Sequence, residues 1–405
     1  MASDNVTGRA VPATSVPSVV GATLAAQTVV SMATLTLPVI APRFAAVVAM
    51  DPSAIGYQIS ILYAGAMTSA AYGGNVVRAW GACRTTQAAL CAVAAGMLMA
   101  IVPDLAALFL ASVLIGLGYG LANPAASHLL VRYTPVRGRN LIFSLKQTGV
   151  PLGGMLAALV APSMTDAFGW RSALLLVAGL GLAMAALLQG PRPSWDDDRQ
   201  AKLDLGRSPL GGVSLIWHEP PLRYLSLTAL CFAGVQLCVM TFTVTLLVAE
   251  ARYSLIEAGF LLSLVQLAGA LGRIFWGWAA DRCRASMAVL LALGAIMVLA
   301  ALAVTRIDAA WSPVWTAGVL LILGATAIGW NGVFLAEVAR LAPPGQASAA
   351  TGGALFFTFG GVLAGPSIFA TAYTFLRSYG LTFAIAALFA ACGLAFLVRA
   401  RLAVR

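Results

Sequence analysis

The sequence predicts an all-α membrane protein, with twelve transmembrane helices in two pseudosymmetric six-helix bundles. Three observations predict it. Hydrophobic residues make up 60% of the chain, charged residues only 9%, and mean hydropathy is +0.91; a soluble domain is about 25% charged. The apolar residues fall in long unbroken runs, not in alternating ten-residue segments, which favours helices over a barrel. Lastly, Gly116, Asn123, Arg132, Pro135 and Gly153 stand 208 positions before Gly324, Asn331, Arg340, Pro343 and Gly361. Two parallel copies of one membrane-embedded half are the usual way to build a central site that opens to each side in turn.

At ~20 residues per span, the apolar runs place helices near 18–41, 53–77, 85–103, 105–131, 141–163 and 172–190. The second half follows near 223–249, 255–277, 286–305, 312–339, 347–374 and 380–398. Residues 1–16, rich in Ser, Thr, Pro and Ala, read as a disordered tail. Residues 17–190 form the N-terminal bundle, 191–221 a linker, and 222–400 the C-terminal bundle. The linker holds Asp196–Asp197–Asp198, Lys202, Asp204 and Arg207 and reads as a solvated connector, its Pro209–Trp217 part apolar enough to lie along the membrane. The first run is too long for a signal-peptide core and lacks a basic stretch directly before it, so it is expected to be a retained span.

A net charge of +10 is a topology signal here, and no nucleic-acid partner is expected. With a cytoplasmic N-terminus, 18 of the 24 Lys and Arg fall on the cytoplasmic side, Arg273 being counted among them, and five (Arg43, Arg171, Arg252, Arg306, Arg377) on the other. That asymmetry predicts both termini in the cytoplasm. The six cysteines form no CxxC pair and lie mostly in apolar runs, which suits buried free thiols. No phosphate-cradling Lys loop, metal-spaced His/Cys cluster or triad is present, so neither an enzyme nor a cofactor or metal is expected.

Polar side chains inside the runs are the candidate site. Lys146 lies seven residues beyond Arg139, roughly 10 Å into its helix, with no acid within a helical turn; its natural partner is an anion, the alternative being snorkelling to the interface. Asn123 and Asn331 are the repeat-related amides of spans four and ten, with Tyr119 and Trp330 expected to add an aromatic wall. Gln27 and Gln236 lie mid-way along spans one and seven, Gln266 mid-way along span eight, and Gln147 beside Lys146. His128, Glu250 and Glu337 are candidates for carrying a coupling proton, Glu337 also being spaced to pair with Arg340. No acid sits at the bilayer midplane, which argues against a proton-coupled exporter of cationic drugs.

Residues 277–282, Gly-Trp-Ala-Ala-Asp-Arg, stand between spans eight and nine and resemble the loop signature of the major facilitator superfamily. The equivalent loop between spans two and three runs Gly74-Asn-Val-Val-Arg78-Ala-Trp-Gly81, with Arg78 where that family usually has Asp. Lys146-Gln-Thr-Gly-Val-Pro-Leu-Gly-Gly154, Phe168-Gly-Trp-Arg171 and Gly329-Trp-Asn-Gly332 also look similar to bacterial members, nearest to small-anion, cyanate-permease-like carriers. The resemblance implies the major facilitator fold, with spans one and four of each half lining the cavity. It also implies a latch formed by Gly277, Asp281 and Arg282 or Arg284, altered in the N-terminal half by Arg78. The span-five run Gly149-Val-Pro-Leu-Gly-Gly154 keeps the elements, but not the spacing, of the drug-antiporter signature.

Together these readings predict a monomeric carrier of a small organic anion, such as a monocarboxylate, in a bacterial inner membrane. Rival readings are a proton-coupled exporter of hydrophobic drugs and, from another class, a non-transporting membrane sensor.

Overall fold

The computed structural model describes residues 16–134, 139–199, 211–343 and 346–404. Among these, all regular structure is helical. The first half comprises span one (Val16–Val39), span two (Ile55–Trp80), span three (Ala82–Met99), span four (Leu105–Tyr133), span five (Arg139–Gln147 and Gly149–Phe168) and span six (Trp170–Leu187). The second comprises span seven (Pro220–Ala249), span eight (Leu255–Cys283), span nine (Ser286–Val304), span ten (Pro313–Ala327 and Asn331–Leu341), span eleven (Ala347–Leu376) and span twelve (Tyr379–Val404). Eleven of the described spans are apolar and long enough to cross a bilayer on their own. Span two, diluted by Tyr57, Gln58, Ser60, Tyr63, Thr68, Ser69, Tyr72 and Asn75, meets the test only together with Ala41–Val48, from which it is bent by 106°.

Two spans expected to be continuous are broken. Span five breaks at Thr148, three residues before Pro151. A proline has no N–H to give the carbonyl four residues back, so the ladder fails at Gln147. Span ten breaks over Ile328–Trp330, beside Gly329. Irregular backbone at this depth survives only where protein or a cavity satisfies it. Conversely, the loop signatures are not loops. Gly74 and Arg78 lie in the last turns of span two, and Gly277, Asp281 and Arg282 in those of span eight, which ends at Arg284 with φ 49°.

The linker differs from a solvated connector. Trp195 is 2% exposed and Asp196 5%. The reason lies in span three, which starts after Gly81 with no side-chain cap. Its free backbone N–H groups need an acceptor, and Asp196 provides it: Oδ1 accepts from Cys83 N at 2.7 Å and Oδ2 from Arg84 N at 3.0 Å. Gly81, at φ +92°, lies so close that a Cβ would sit 2.3 Å from the Asp196 carboxyl carbon. Asp197 pairs with Arg132, and Asp198 with both Arg132 (3.1 Å) and His128 (2.8 Å). Tyr133 donates to Ser194 O at 2.7 Å. Further on, Gly211–His218 forms a helix whose Trp217 stacks on Phe357 of span eleven at 6.2 Å. Lys202, Asp204, Arg207 and Pro209 lie outside the described residues.

The six cysteines are free thiols; Cys83, Cys231 and Cys238 are buried, whereas Cys91, Cys283 and Cys392 are exposed. The halves meet chiefly along two seams, span two against eleven and span five against eight. Both seams are tight toward the face remote from the termini. A Cβ on Gly56 would lie 2.4 Å from Pro366 O and 2.8 Å from Phe242, and one on Gly259 2.4 Å from Ala158 O. Ser60 donates to Leu363 O, Ser367 Oγ lies 2.7 Å from Ser60 Oγ, and Tyr57 and Thr371 share a hydrogen bond of 2.8 Å. Toward the terminal face, glycines of spans two, eight, ten and eleven lack such close neighbours: a Cβ on Gly74, Gly277, Gly332 or Gly352 would meet nothing within 4 Å. The distal side is thus where the halves are closed tightly on each other.

Removing the span-three cap is expected to lower stability. Asp196→Ala should cost about 2 kcal/mol and Asp196→Asn, which keeps one acceptor, about half that. Thermal melting in detergent checks this, and equal melting of both variants with the parent would refute the cap. On the distal side, a Tyr57→Cys/Thr371→Cys pair should cross-link readily with Cys91, Cys283 and Cys392 replaced. Adding Gly56→Val should cut the yield about fivefold or more by wedging the seam apart, a shift of roughly 1 kcal/mol in the population.

Candidate anion site between the halves

Lys146 does not snorkel. It is 3% exposed, and it stands near the end of the first segment of span five, two residues before the break at Thr148. Its ammonium donates to Gln27 Oε1 at 2.9 Å, to Asn123 Oδ1, and to Gln147 Oε1 at 3.2 Å. An ammonium has three donors and no acceptor, so three amide oxygens satisfy it completely. Spans one, four and five thus converge on one cation, and no carboxylate among the described residues pairs with it.

The same polar pair recurs in the second half. Asn331 donates Nδ2 to Gln236 Oε1 at 3.1 Å, whereas Asn123 and Gln27, their first-half counterparts, meet only through the Lys146 ammonium. The position repeat-related to Lys146 is Ala354, fully buried. One fold feature, an amide pair joining the first and fourth spans of each half, therefore carries a lysine on one side only.

The other cation is one that sequence reasoning misplaces. Counting Arg273 with the connection between spans eight and nine is incorrect, because span eight continues ten residues past it to Cys283. Arg273 is half-buried, and its Nε donates to Ile328 O at 3.0 Å, a carbonyl at the break in span ten. Among the described residues it has no acidic partner. The legible signal is length: an apolar run that includes Trp276, Trp278, Ala279 and Ala280 continues beyond the arginine.

The remaining expected residues disperse. Tyr119 is buried edge-on against Tyr63, 5.4 Å between ring centres. Trp330 is 1% exposed and packs on Phe232 and Phe334 inside the second bundle. It is a core side chain and not a cavity wall, because the break in span ten turns it inward. Gln266 is fully buried in the seam, with neither amide atom partnered, and a Cβ on Gly154 would lie 2.1 Å from its Nε2. Of the coupling candidates, Glu250 accepts from Tyr379 N and from Gly380 N (2.9 Å) and so caps span twelve. Glu337, 1% exposed, holds Arg340 through two bonds of 2.9 and 2.6 Å, and His128 faces Asp198. None of the three reaches the lysine. Asp281, Arg282 and Arg284 are exposed and make no ion pair among the described residues, and Arg78 bonds only Asn75.

Residues 20–366 match the Major Facilitator Superfamily. The chain belongs to that family. Among solved structures, a point mutant of a peptide transporter superposes with a TM-score of 0.78 at 16% identity, covering 95% of this chain and 94% of that one. A point mutant of a nucleoside transporter gives 0.74 at 15%, covering 95% and 100%; these show the fold alone. A probable chloroplastic anion transporter of Oryza sativa subsp. japonica is 28% identical over 178 residues, 41% of this chain and 30% of its own length. Monocarboxylate transporter 13 of Rattus norvegicus is 30% identical over 254 residues, 61% of this chain and 55% of that one. The chain spans about half or less of these curated relatives. Their names and the family describe transporters, and this protein is a membrane transporter of that superfamily.

Proposed function

We propose that the protein carries a small organic anion across the membrane by alternating access, binding it between the halves at Lys146 and Arg273. One observation carries this reading: two cations, one from each half, stand in the interior with no carboxylate among the described residues to neutralise either. A charged side chain inside the membrane is costly and is normally paired or functional. Gln27, Asn123, Gln147, Gln236 and Asn331 supply hydrogen bonds around them. The names of the rice and rat relatives, an anion transporter and a monocarboxylate transporter, support an anionic cargo.

The arginine asymmetry supports a bacterial inner-membrane setting with both termini cytoplasmic, so the tightly closed distal face is the outer one. Transport then requires the distal seams around Gly56 and Gly259 to part while spans two, eight, ten and eleven close on the inner side. Because Glu250, Glu337 and His128 are each committed to another partner, exchange of one anion for another is the coupling the geometry favours, with the protein acting as a monomer.

Radiolabelled acetate, lactate and succinate offered to proteoliposomes test the proposal. Lys146→Ala and Arg273→Ala should each lower the kcat/KM for the transported acid about 30-fold or more, the usual consequence of deleting one member of a desolvated charge pair. Undiminished uptake by both variants would remove the anion site, and no flux of any solute would remove the carrier.

A further inference from the structure

We infer that the cargo is a dianion that bridges the halves, one anionic group on Lys146 and the other on Arg273. The inference rests on the anion-carrier reading and goes beyond it in naming the charge and shape of the cargo.

The two cations share a depth. Gly154 of span five touches Gln266 of span eight, which sets a common level for these antiparallel neighbours. Lys146 lies eight residues before Gly154 and Arg273 seven residues after Gln266, both toward the terminal face by about 10–12 Å at helical rise. Laterally, Lys146 is held by spans one and four, and Arg273 by Ile328 at the break in span ten, three residues before Asn331. They belong to opposite halves and are not duplicates, since Lys146 has Ala354 as its counterpart.

Charge balance then fixes the valence. Among the described residues the acids of the terminal face, Asp196–Asp198, Glu219 and Asp281, stand at helix ends or in the linker, and Glu337 is spent on Arg340. Asp51, Asp104, Asp166, Glu250, Glu257 and Asp308 lie toward the distal face. The pocket therefore holds two basic side chains and, among the described residues, no acid. While it is open, water screens them. When the halves close around a cargo, water leaves, and a single negative charge would strand one cation in a medium of low dielectric. A second negative charge removes that penalty and ties the closure of the halves to the presence of cargo, because the two anionic groups grip different bundles.

The donors suit the task unequally. Arg273 uses Nε on Ile328 O, which leaves its terminal nitrogens to hold a carboxylate in the two-pronged manner that guanidinium favours. Lys146 is saturated by three amide oxygens, so its anionic group must displace one of them. Gln147, exposed and the longest of the three bonds at 3.2 Å, is the one to leave.

Binding of dicarboxylates from malonate to adipate, each against its monomethyl ester, tests this on the purified full-length protein at about pH 6.5, where the free carboxyls are largely ionised. Ester and diacid match in length and differ by one charge. The dianion of best-fitting length should bind at least about tenfold more tightly than its ester. Arg273→Gln and Lys146→Gln, each verified as folded by its melting curve, should erase that preference while still binding the ester. Equal affinity of diacid and ester would overturn the dianion and leave the anion carrier standing, whereas binding of neither member of any pair would overturn the carrier reading itself.

Discussion

A cation inside a hydrocarbon slab must find oxygen atoms, and much of this molecule follows from how it finds them. Lys146 draws an amide from span one, another from span four and a third from its own helix. Arg273 draws a backbone carbonyl, available because span ten is interrupted beside it. Breaks in spans five and ten, costly in a bilayer, are tolerated where these cations sit. Polar satisfaction, more than apolar burial, thus positions the centre of a protein whose exterior is almost wholly apolar.

The duplication explains the frame and its lapse explains the site. Gln236 and Asn331 bond directly, while their counterparts Gln27 and Asn123 are joined through the lysine. Only the first copy holds a lysine, and only the second half contributes an arginine, from a different span. A symmetric scaffold has been given an asymmetric interior, as a carrier needs if its two halves are to hold unlike ends of a solute. The linker repeats the theme: Asp196, buried, arrives from elsewhere in the chain to accept from the start of span three.

Span number, order and approximate limits could be read from apolar runs because hydrocarbon thickness sets helix length. Lys146, Asn123, Gln27, Asn331 and Gln236 could be picked out because amides and ammonium are rare in such runs. What could not be read was direction. Trp330 looks identical to a cavity residue until the break at Ile328 turns it into the bundle. Arg273 counts with the cytoplasmic charges although the apolar run 255–277 already holds it, because an arginine near a span's end is read by habit as a topology signal. Asp196 passes for solvent-facing because nothing local reveals that span three, far away in sequence, begins without a cap.

The amide of Gln266 lies in the middle of the seam between spans five and eight, against a glycine, bonded to nothing. A joint of that kind can roll without breaking a hydrogen bond, so resistance to turning there comes from dispersion alone. The distal contacts of Tyr57, Ser60 and Ser367 are different, since each must give up a bond before the outer mouth can part. The middle of that seam holds no hydrogen bond at Gln266, whereas the outer lip is fastened by them, so separating the outer lip is the costlier of the two movements.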